Sequence, residues 1–323
     1  MSARVQLRTL GATGLTVSRI GLGLAALGRP GYINVGHGDD LHGETGVDAM
    51  AANARATLDA AYAGGVRYFD AARSYGRAEE FLAGWLVRRA LAPADVAVGS
   101  KWGYTYTGGW RVDAEVHEVK ELTLGTLMRQ YAESTATLGA HLQLYQIHSA
   151  TLDSGVLEDR AVGDELARLR AGGLRIGFTT SGARQTETIE RAVATGSFDA
   201  VQSTWNLLEP SAGDALAAAH AAGLGVIVKE ALANGRLTTR GDVAPLIAAA
   251  REVGLTPDAL ALAAVLAQPW ADVVLSGAST PEMVTGNLAA TTVTPAPGVL
   301  SRLADLAESP DAYWDTRAAL RWN

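Results

Sequence analysis

Short apolar runs alternate with longer stretches of helical spacing along almost the whole chain. "RIGLGL" (19–24) is followed, after a Gly-rich loop, by "VDAMAANARATLDAAYAGG", and "VRYFD" (66–70) leads to "AEEFLAGWLVRRAL". "VAVGSK" (96–101) is followed by a long loop and "TLGTLMRQYAESTATLG", and "LQLYQIH" (142–148) leads to "GDELARLRAGG". "LRIGFTT" (174–180), "DAVQST" (199–204), "GVIVKE" (225–230) and "DVVLSG" (272–277) each precede another helical stretch. The strand-like runs are nearly continuous in apolar residues, as expected of strands buried on both faces. Glycines at Gly64-Gly65, Gly139, Gly172-Gly173, Gly196 and Gly223 close the helices, where a left-handed cap is wanted.

Eight strand–helix units in succession predict an α/β fold, a (β/α)8 TIM barrel, with an open doubly wound sheet as the rival. "VQLRTLGATGLTVSRI", with its Gly11–Gly14 turn, predicts a β-hairpin that plugs the barrel bottom. "GVLSRLADLAESPDAYWDTRAALRWN" predicts a helix and a tail that fold over the barrel. Without a linker or low-complexity segment, residues 1–323 read as one domain. Three loops that follow strands are long, 25–45, 102–121 and 231–242; in a barrel they stand at the active-site end.

Composition narrows the function classes. Apolar residues make up 48% and the net charge is -7, so bulk charge argues against a nucleic-acid partner. There is no cysteine, hence no disulfide, thiolate nucleophile or zinc–thiolate site. The N-terminus "MSARVQLRTLGATG" lacks the apolar core of a signal peptide, and no run reaches membrane-spanning length; a soluble, cytoplasmic protein without a membrane partner is expected. His37 and His42 lie in a Gly-rich stretch without a ligand partner at metal spacing, so they read as solvated, and no metal site is expected.

Chemistry gathers at the strand ends. The second strand ends at Asp70, with Tyr75 on the following turn; the third ends at Lys101 and the fourth at His148. An acid, a phenol, an amine and an imidazole would face one mouth. A free tyrosine titrates near ~10; an ammonium beside it favours phenolate and lowers that value. Asp70 would pair with Lys101, and His148 would hydrogen-bond the incoming oxygen or the phenol. Such a group moves a proton to or from a carbonyl oxygen. It has neither a nucleophile nor a metal cage, so proton transfer is expected to pair with hydride transfer from a nicotinamide. Trp102, Tyr104, Tyr106 and Trp110 in "WGYTYTGGW" would wall a pocket for a flat or apolar carbonyl compound. "GRPGYINVGHGDDLHG" (28–43) reads as a lid.

From "LGATGLTVSRIGLG" to "GASTPEMVTGNL" the chain resembles the aldo-keto reductases. The motif Asp70-Ala71-Ala72-Arg73-Ser74-Tyr75-Gly76, Lys101 in "VGSKWG" and His148 in "LYQIHS" carry the resemblance. It implies Tyr75 as general acid, tuned by Lys101 and Asp70, with His148 orienting the carbonyl. It also implies a barrel that binds NADPH extended across its mouth, with no Rossmann domain. "GLGLAA" (21–26) fits a dinucleotide fingerprint, but Gly28-Arg29-Pro30-Gly31 prevents the helix that must follow.

The resemblance places the cofactor on Thr179, Thr180, Gln202, Lys229, Gly277, Ser279, Thr280, Met283 and Asn287. Physically, Thr280 and Pro281 open a helix, whose N-terminus suits a phosphate. The segment departs from the family at several points. Met283 replaces the frequent 2′-phosphate arginine and Gly277 the frequent lysine; Thr179-Thr180 replace Ser-Asn, and Lys229 replaces a stacking aromatic. NADP(H) is the expected cofactor, with NAD(H) left open by Met283. The expected activity is carbonyl reduction or alcohol oxidation on a small molecule. The alternative is a nicotinamide-binding redox sensor or interaction subunit with little turnover.

Overall fold

A computed structural model of the chain describes residues 5–323. It opens with an antiparallel hairpin, β1 (Leu7–Thr9) and β2 (Thr16–Ser18). There follow β3 (Ile20–Gly23), the one-turn helix α1 (His37–Asp40), α2 (Val47–Ala63), β4 (Tyr68–Asp70), α3 (Ala78–Arg88) and β5 (Ala97–Trp102). A second antiparallel hairpin, β6 (Tyr104–Tyr106) and β7 (Glu118–Lys120), precedes α4 (Leu124–Leu138) and β8 (Leu142–Ala150). Next come α5 (Arg160–Ala171), β9 (Arg175–Thr180), α6 (Gln185–Thr195), β10 (Ala200–Thr204), α7 (Gly213–Ala221) and β11 (Gly225–Lys229). The chain ends with α8 (Ala244–Glu252), α9 (Pro257–Leu266), β12 (Val273–Ser276), α10 (Pro281–Ala289), α11 (Pro297–Leu303) and α12 (Pro310–Ala318).

Strands β3, β4, β5, β8, β9, β10, β11 and β12 pair in that order, all parallel, and β12 closes on β3 through Val274↔Ile20 and Ser276↔Leu22. This is the expected (β/α)8 barrel. Two shells of apolar side chains follow from strand alternation. Tyr68, Ala97, Leu144, Ala200, Ile227 and Val273 fill the barrel's lower interior, where Leu10 and Val17 of the hairpin plug it. The opposite strand faces pack Phe69, Val98, Tyr145, Phe178, Val201 and Val228 against the helices. The helices are punctuated locally: Thr123, Thr256, Thr280 and Ser309 cap α4, α9, α10 and α12 through their hydroxyls, and Pro opens the last three.

The 102–121 segment differs from the expected loop by containing β6 and β7; the long loop spans only their connection. After α12 the chain does fold back over the mouth. Tyr32 and Asn323 exchange reciprocal backbone hydrogen bonds at 3.1 Å each, and the Asn323 amide donates to Asn34 O at 2.8 Å. Among the described residues, no helix is long and apolar enough to cross a membrane.

Candidate active site

The open end of the barrel holds a cavity of about 660 Å³, within the range of small-molecule sites. Asp70, Tyr75 and His148 line it, and Lys101 lies immediately beneath. Asp70 and Lys101 are each 1% exposed and form an ion pair. Lys101 Nζ also donates to Ala71 O at 3.1 Å and to the Tyr75 hydroxyl at 3.3 Å. The second Asp70 oxygen accepts from the Tyr68 hydroxyl at 3.1 Å, Gln202 Nε2 at 3.0 Å and Gln146 Nε2 at 3.4 Å. A buried carboxylate with this many donors is compensated on both oxygens.

Local backbone explains how Tyr75 and His148 reach the mouth. Gly28 and Gly76 let two turns touch: a Cβ on Gly28 would lie 2.1 Å from Tyr75 O, and one on Gly76, at φ +60°, 2.3 Å from Gly28 O. The Arg77 N–H donates to Gly28 O at 2.7 Å across this contact. Pairing of β8 with β9 slips between Ile147 and Ala150, and Ser149 takes φ 55°. Such a bulge re-aims a side chain. The His148 imidazole stands edge-on to the Tyr75 ring at 5.5 Å and 4.8 Å from that of Tyr104.

Burial dominates the electrostatics. Burial first, then the Asp70 carboxylate, pushes the Tyr75 phenol well above the ordinary tyrosine range. This corrects the expectation that Lys101 would lower it: the ammonium is already paired with Asp70, so its field at the phenol is offset. Burial, followed by Lys101, Lys229 and Arg29, holds His148 well below its usual range and therefore neutral. Burial also pushes Lys229 down to about 8 against the opposing pull of Glu230. Its Nζ donates to Thr204 Oγ1 at 2.8 Å and sits 5.6 Å from the Trp314 ring centroid.

The aromatic wall differs from the expected one. Tyr104 lines the cavity, joined by Tyr32 and Trp322. Trp102 does not: it is fully buried in the layer between barrel and helices. Trp110 does not line the cavity either; its ring packs edge-on to Phe81 at 6.4 Å and its Nε1 donates to Thr45 O at 2.7 Å. It is a latch on the loop, as Tyr106 is, whose hydroxyl accepts from Trp110 N at 3.1 Å. His37 is a further correction. It is fully buried, with neither ring nitrogen hydrogen-bonded, and burial pushes it down to about 4; His42 is exposed as expected.

His37 carries a pH prediction. Its folded value lies below the unfolded ~6.5, so the unfolded chain binds the extra proton, and stability is lost as pH falls from ~6.5 to about 4. His37→Phe is expected to remove about 3 kcal/mol of that acid-side loss. Urea melts of both proteins at pH 7 and pH 4.5 measure it; equal acid losses would show that His37 is not the sensor.

Along the cofactor side, Thr179, Gln202, Lys229, Gly277, Met283 and Asn287 line the cavity. Asn287 Nδ2 donates to Ser276 Oγ at 2.8 Å. Thr180 is a correction: it turns outward to Ser203 Oγ at 2.7 Å. Ser279 and Thr280 do not line the cavity. Ser279 Oγ donates to Asp40 Oδ2 at 3.0 Å, and Thr280 caps α10. The cavity runs from the Tyr75–His148 pair to the Met283–Asn287 turn of α10.

The family model described as "Aldo/keto reductase family" matches residues 19–306. The chain belongs to the aldo/keto reductase family. Its barrel is the family's. It is similar to pyridoxal 4-dehydrogenase of Microbacterium luteolum, 30% identical over 161 residues; the match covers 44% of this chain and 42% of that protein. A solved Pseudomonas aeruginosa structure assigned to the aldo-keto reductases is 25% identical, with a TM-score of 0.67, covering 88% of this chain and 94% of that one. An aldo-keto reductase from Bacillus halodurans in its holo form shares the fold at 20% identity, with a TM-score of 0.72 over 95% of this chain and 97% of that one.

Several residues of this aldo-keto reductase's mouth escaped the sequence reading. Gln146 and Tyr68 sit two positions before His148 and Asp70 on the same strand faces, so strand alternation was a usable signal. Arg29 is only 3% exposed yet lines the cavity. Its Nη1 donates to Ser74 O and Glu118 Oε2, both at 2.9 Å, and its guanidinium lies 5.4 Å from the Tyr75 ring centroid and 4.5 Å from that of Trp322. No local pattern marks an arginine whose partners lie 45 and 89 residues away.

Proposed function

We propose that the chain interconverts a small-molecule carbonyl and its alcohol, with Tyr75 as general acid in reduction and general base in oxidation. The observation that carries this reading is the buried Asp70–Lys101 pair, with its ammonium 3.3 Å from the Tyr75 hydroxyl. A bound nicotinamide supplies or accepts the hydride at the carbonyl carbon. The protonated phenol favoured by burial is the form needed to give a proton to the carbonyl oxygen in reduction. The phenolate left behind would keep Lys101 Nζ as a hydrogen-bond donor, the contact seen at 3.3 Å. Neutral His148 has a ring N–H with which to hold the carbonyl oxygen. Thr179, Gln202, Lys229, Gly277, Met283 and Asn287 would hold the dinucleotide.

The mouth favours a flat carbonyl compound. Tyr32, Tyr104 and Trp322 offer aromatic faces, and Arg29 offers a cation to an acidic oxygen near the carbonyl. The relative from Microbacterium luteolum makes pyridoxal a reasonable first member of that class. The test is a turnover screen with NADH and NADPH against pyridoxal, salicylaldehyde, benzaldehyde and aliphatic aldehydes, and with NAD+ and NADP+ against pyridoxal and the corresponding alcohols. Turnover of the aromatic aldehydes is expected. Arg29→Met is expected to raise KM for salicylaldehyde about tenfold more than for benzaldehyde; equal effects would remove Arg29 from substrate recognition. Dinucleotide binding with no turnover of any carbonyl or alcohol would replace the reductase reading by the redox-sensor one.

A further inference from the structure

If Tyr75 and His148 meet the carbonyl, as proposed above, the nicotinamide must lie beside them. The adenosine of an extended dinucleotide must then reach the opposite end of the cavity, at Met283, Gly286 and Asn287. NADP(H) differs from NAD(H) only by a phosphate on that adenosine, so the charges at this end decide between them. Among the charged side chains that line the cavity, Asp40, Glu282 and Arg240 stand there. Two are acids, and the third is already engaged. Arg240 forms a two-pronged ion pair with Asp40, with the Nη1–Oδ2 arm at 3.1 Å, and its Nη1 also donates to Val35 O at 3.2 Å and Gly36 O at 3.1 Å. The Ser279 hydroxyl, at the N-terminal side of α10, donates to Asp40 Oδ2 at 3.0 Å and approaches Met283 Sδ at 3.3 Å. The Asp40 carboxylate therefore occupies the guanidinium that an incoming phosphate would require, and the buried Ser279 hydroxyl helps to hold it there.

We infer that Asp40, held by Arg240 and Ser279, selects NAD(H) against NADP(H) by occupying with its own carboxylate the guanidinium a ribose phosphate needs. A second anion entering there meets Asp40 and Glu282 with no free cation among the described residues lining that end, and like-charge juxtaposition is a strong discriminator. Met283 supplies an apolar surface where a guanidinium fork would be the usual phosphate reader. This departs from the NADP(H) expectation raised by the family resemblance.

Calorimetric titration of the purified full chain with NADH and NADPH tests the inference, with quenching of tryptophan fluorescence (Trp322 lines the cavity) as an independent readout. NADH is expected to bind at least about tenfold more tightly. Asp40→Asn removes the internal anion and frees Arg240; Met283→Arg leaves the Asp40 contacts alone and adds a cation. Each is expected to lower the ratio of the NADPH to the NADH dissociation constant several-fold, through tighter NADPH binding. Equal or tighter binding of NADPH by the natural chain overturns the inference and leaves the carbonyl-reductase reading standing. So does a ratio that neither variant moves. Failure of the folded protein to bind either dinucleotide overturns both.

Discussion

Tyr75→Phe is expected to lower turnover by about 10²–10⁴-fold, the usual contribution of a positioned general acid. Dinucleotide affinity should stay within a factor of about two. The ring keeps its edge contact with His148 and its place beside the Arg29 guanidinium. Lys101 loses only its longest hydrogen bond, at 3.3 Å, and keeps Asp70 and Ala71 O. The substitution therefore removes the transferable proton while disturbing little else. Lys101→Met would be a poorer probe, because it strands Asp70 as an uncompensated buried charge, a defect that costs about 3–5 kcal/mol in stability. The measurement is steady-state turnover on the best aldehyde from the screen, alongside calorimetric titration with the dinucleotide. Turnover within a few-fold of the natural chain would remove Tyr75 from the chemistry and turn attention to His148.

Asp70, Lys101 and His148 were legible because each is a polar residue at the end of an apolar strand, where only a partnered group is tolerated. The errors have an equally physical origin. β5 runs one residue beyond Lys101, so alternation sends Trp102 to the helix side while Lys101 faces the mouth. Thr179 and Thr180 divide the same way at the end of β9. From the sequence His37 reads as solvated because its Gly-rich surroundings look like an open loop. That loop is in fact held down by partners remote in sequence, Arg240 on one side and Asn323 on the other. Arg29 and the Asp40–Arg240 pair were invisible for the same reason: their meaning lies in which loops the barrel brings together, and no local periodicity encodes that.

Arg317→Met is expected to destabilise the chain by about 3–5 kcal/mol, the usual cost of leaving one member of a buried ion pair alone. Arg317 on α12 grips Glu230 just past β11, with Nε at 2.9 Å from both carboxylate oxygens. The side chains are 27% and 7% exposed, so the charge left behind would be the more buried one. Glu230 takes φ 53°, and its carbonyl accepts from Asn206 Nδ2 at 2.9 Å; the same amide meets the Tyr313 hydroxyl at 3.0 Å. A strand end and the C-terminal helix are thus joined by one polar cluster, and the tail that follows α12 brings Leu320 and Trp322 to the cavity. Lys229, at 3.9 Å, is too distant to replace the guanidinium fork. The pH dependence supplies a second readout. Although burial opposes it, Arg317 and Lys229 together hold the Glu230 carboxyl down to about 2, so the pair's stabilisation is full above the unfolded value of ~4.3 and is lost as pH falls through about 2. Without Arg317 the melting temperature at pH 7 is expected to fall by roughly 5–10 °C, and the acid-side slope to flatten. The double variant Glu230→Gln, Arg317→Met, which removes both charges, is expected to recover most of the loss, because only the unpaired charge is costly. A single variant that melts within 1–2 °C of the natural chain, on the same rough scale, would show that α12 is held by its apolar contacts alone.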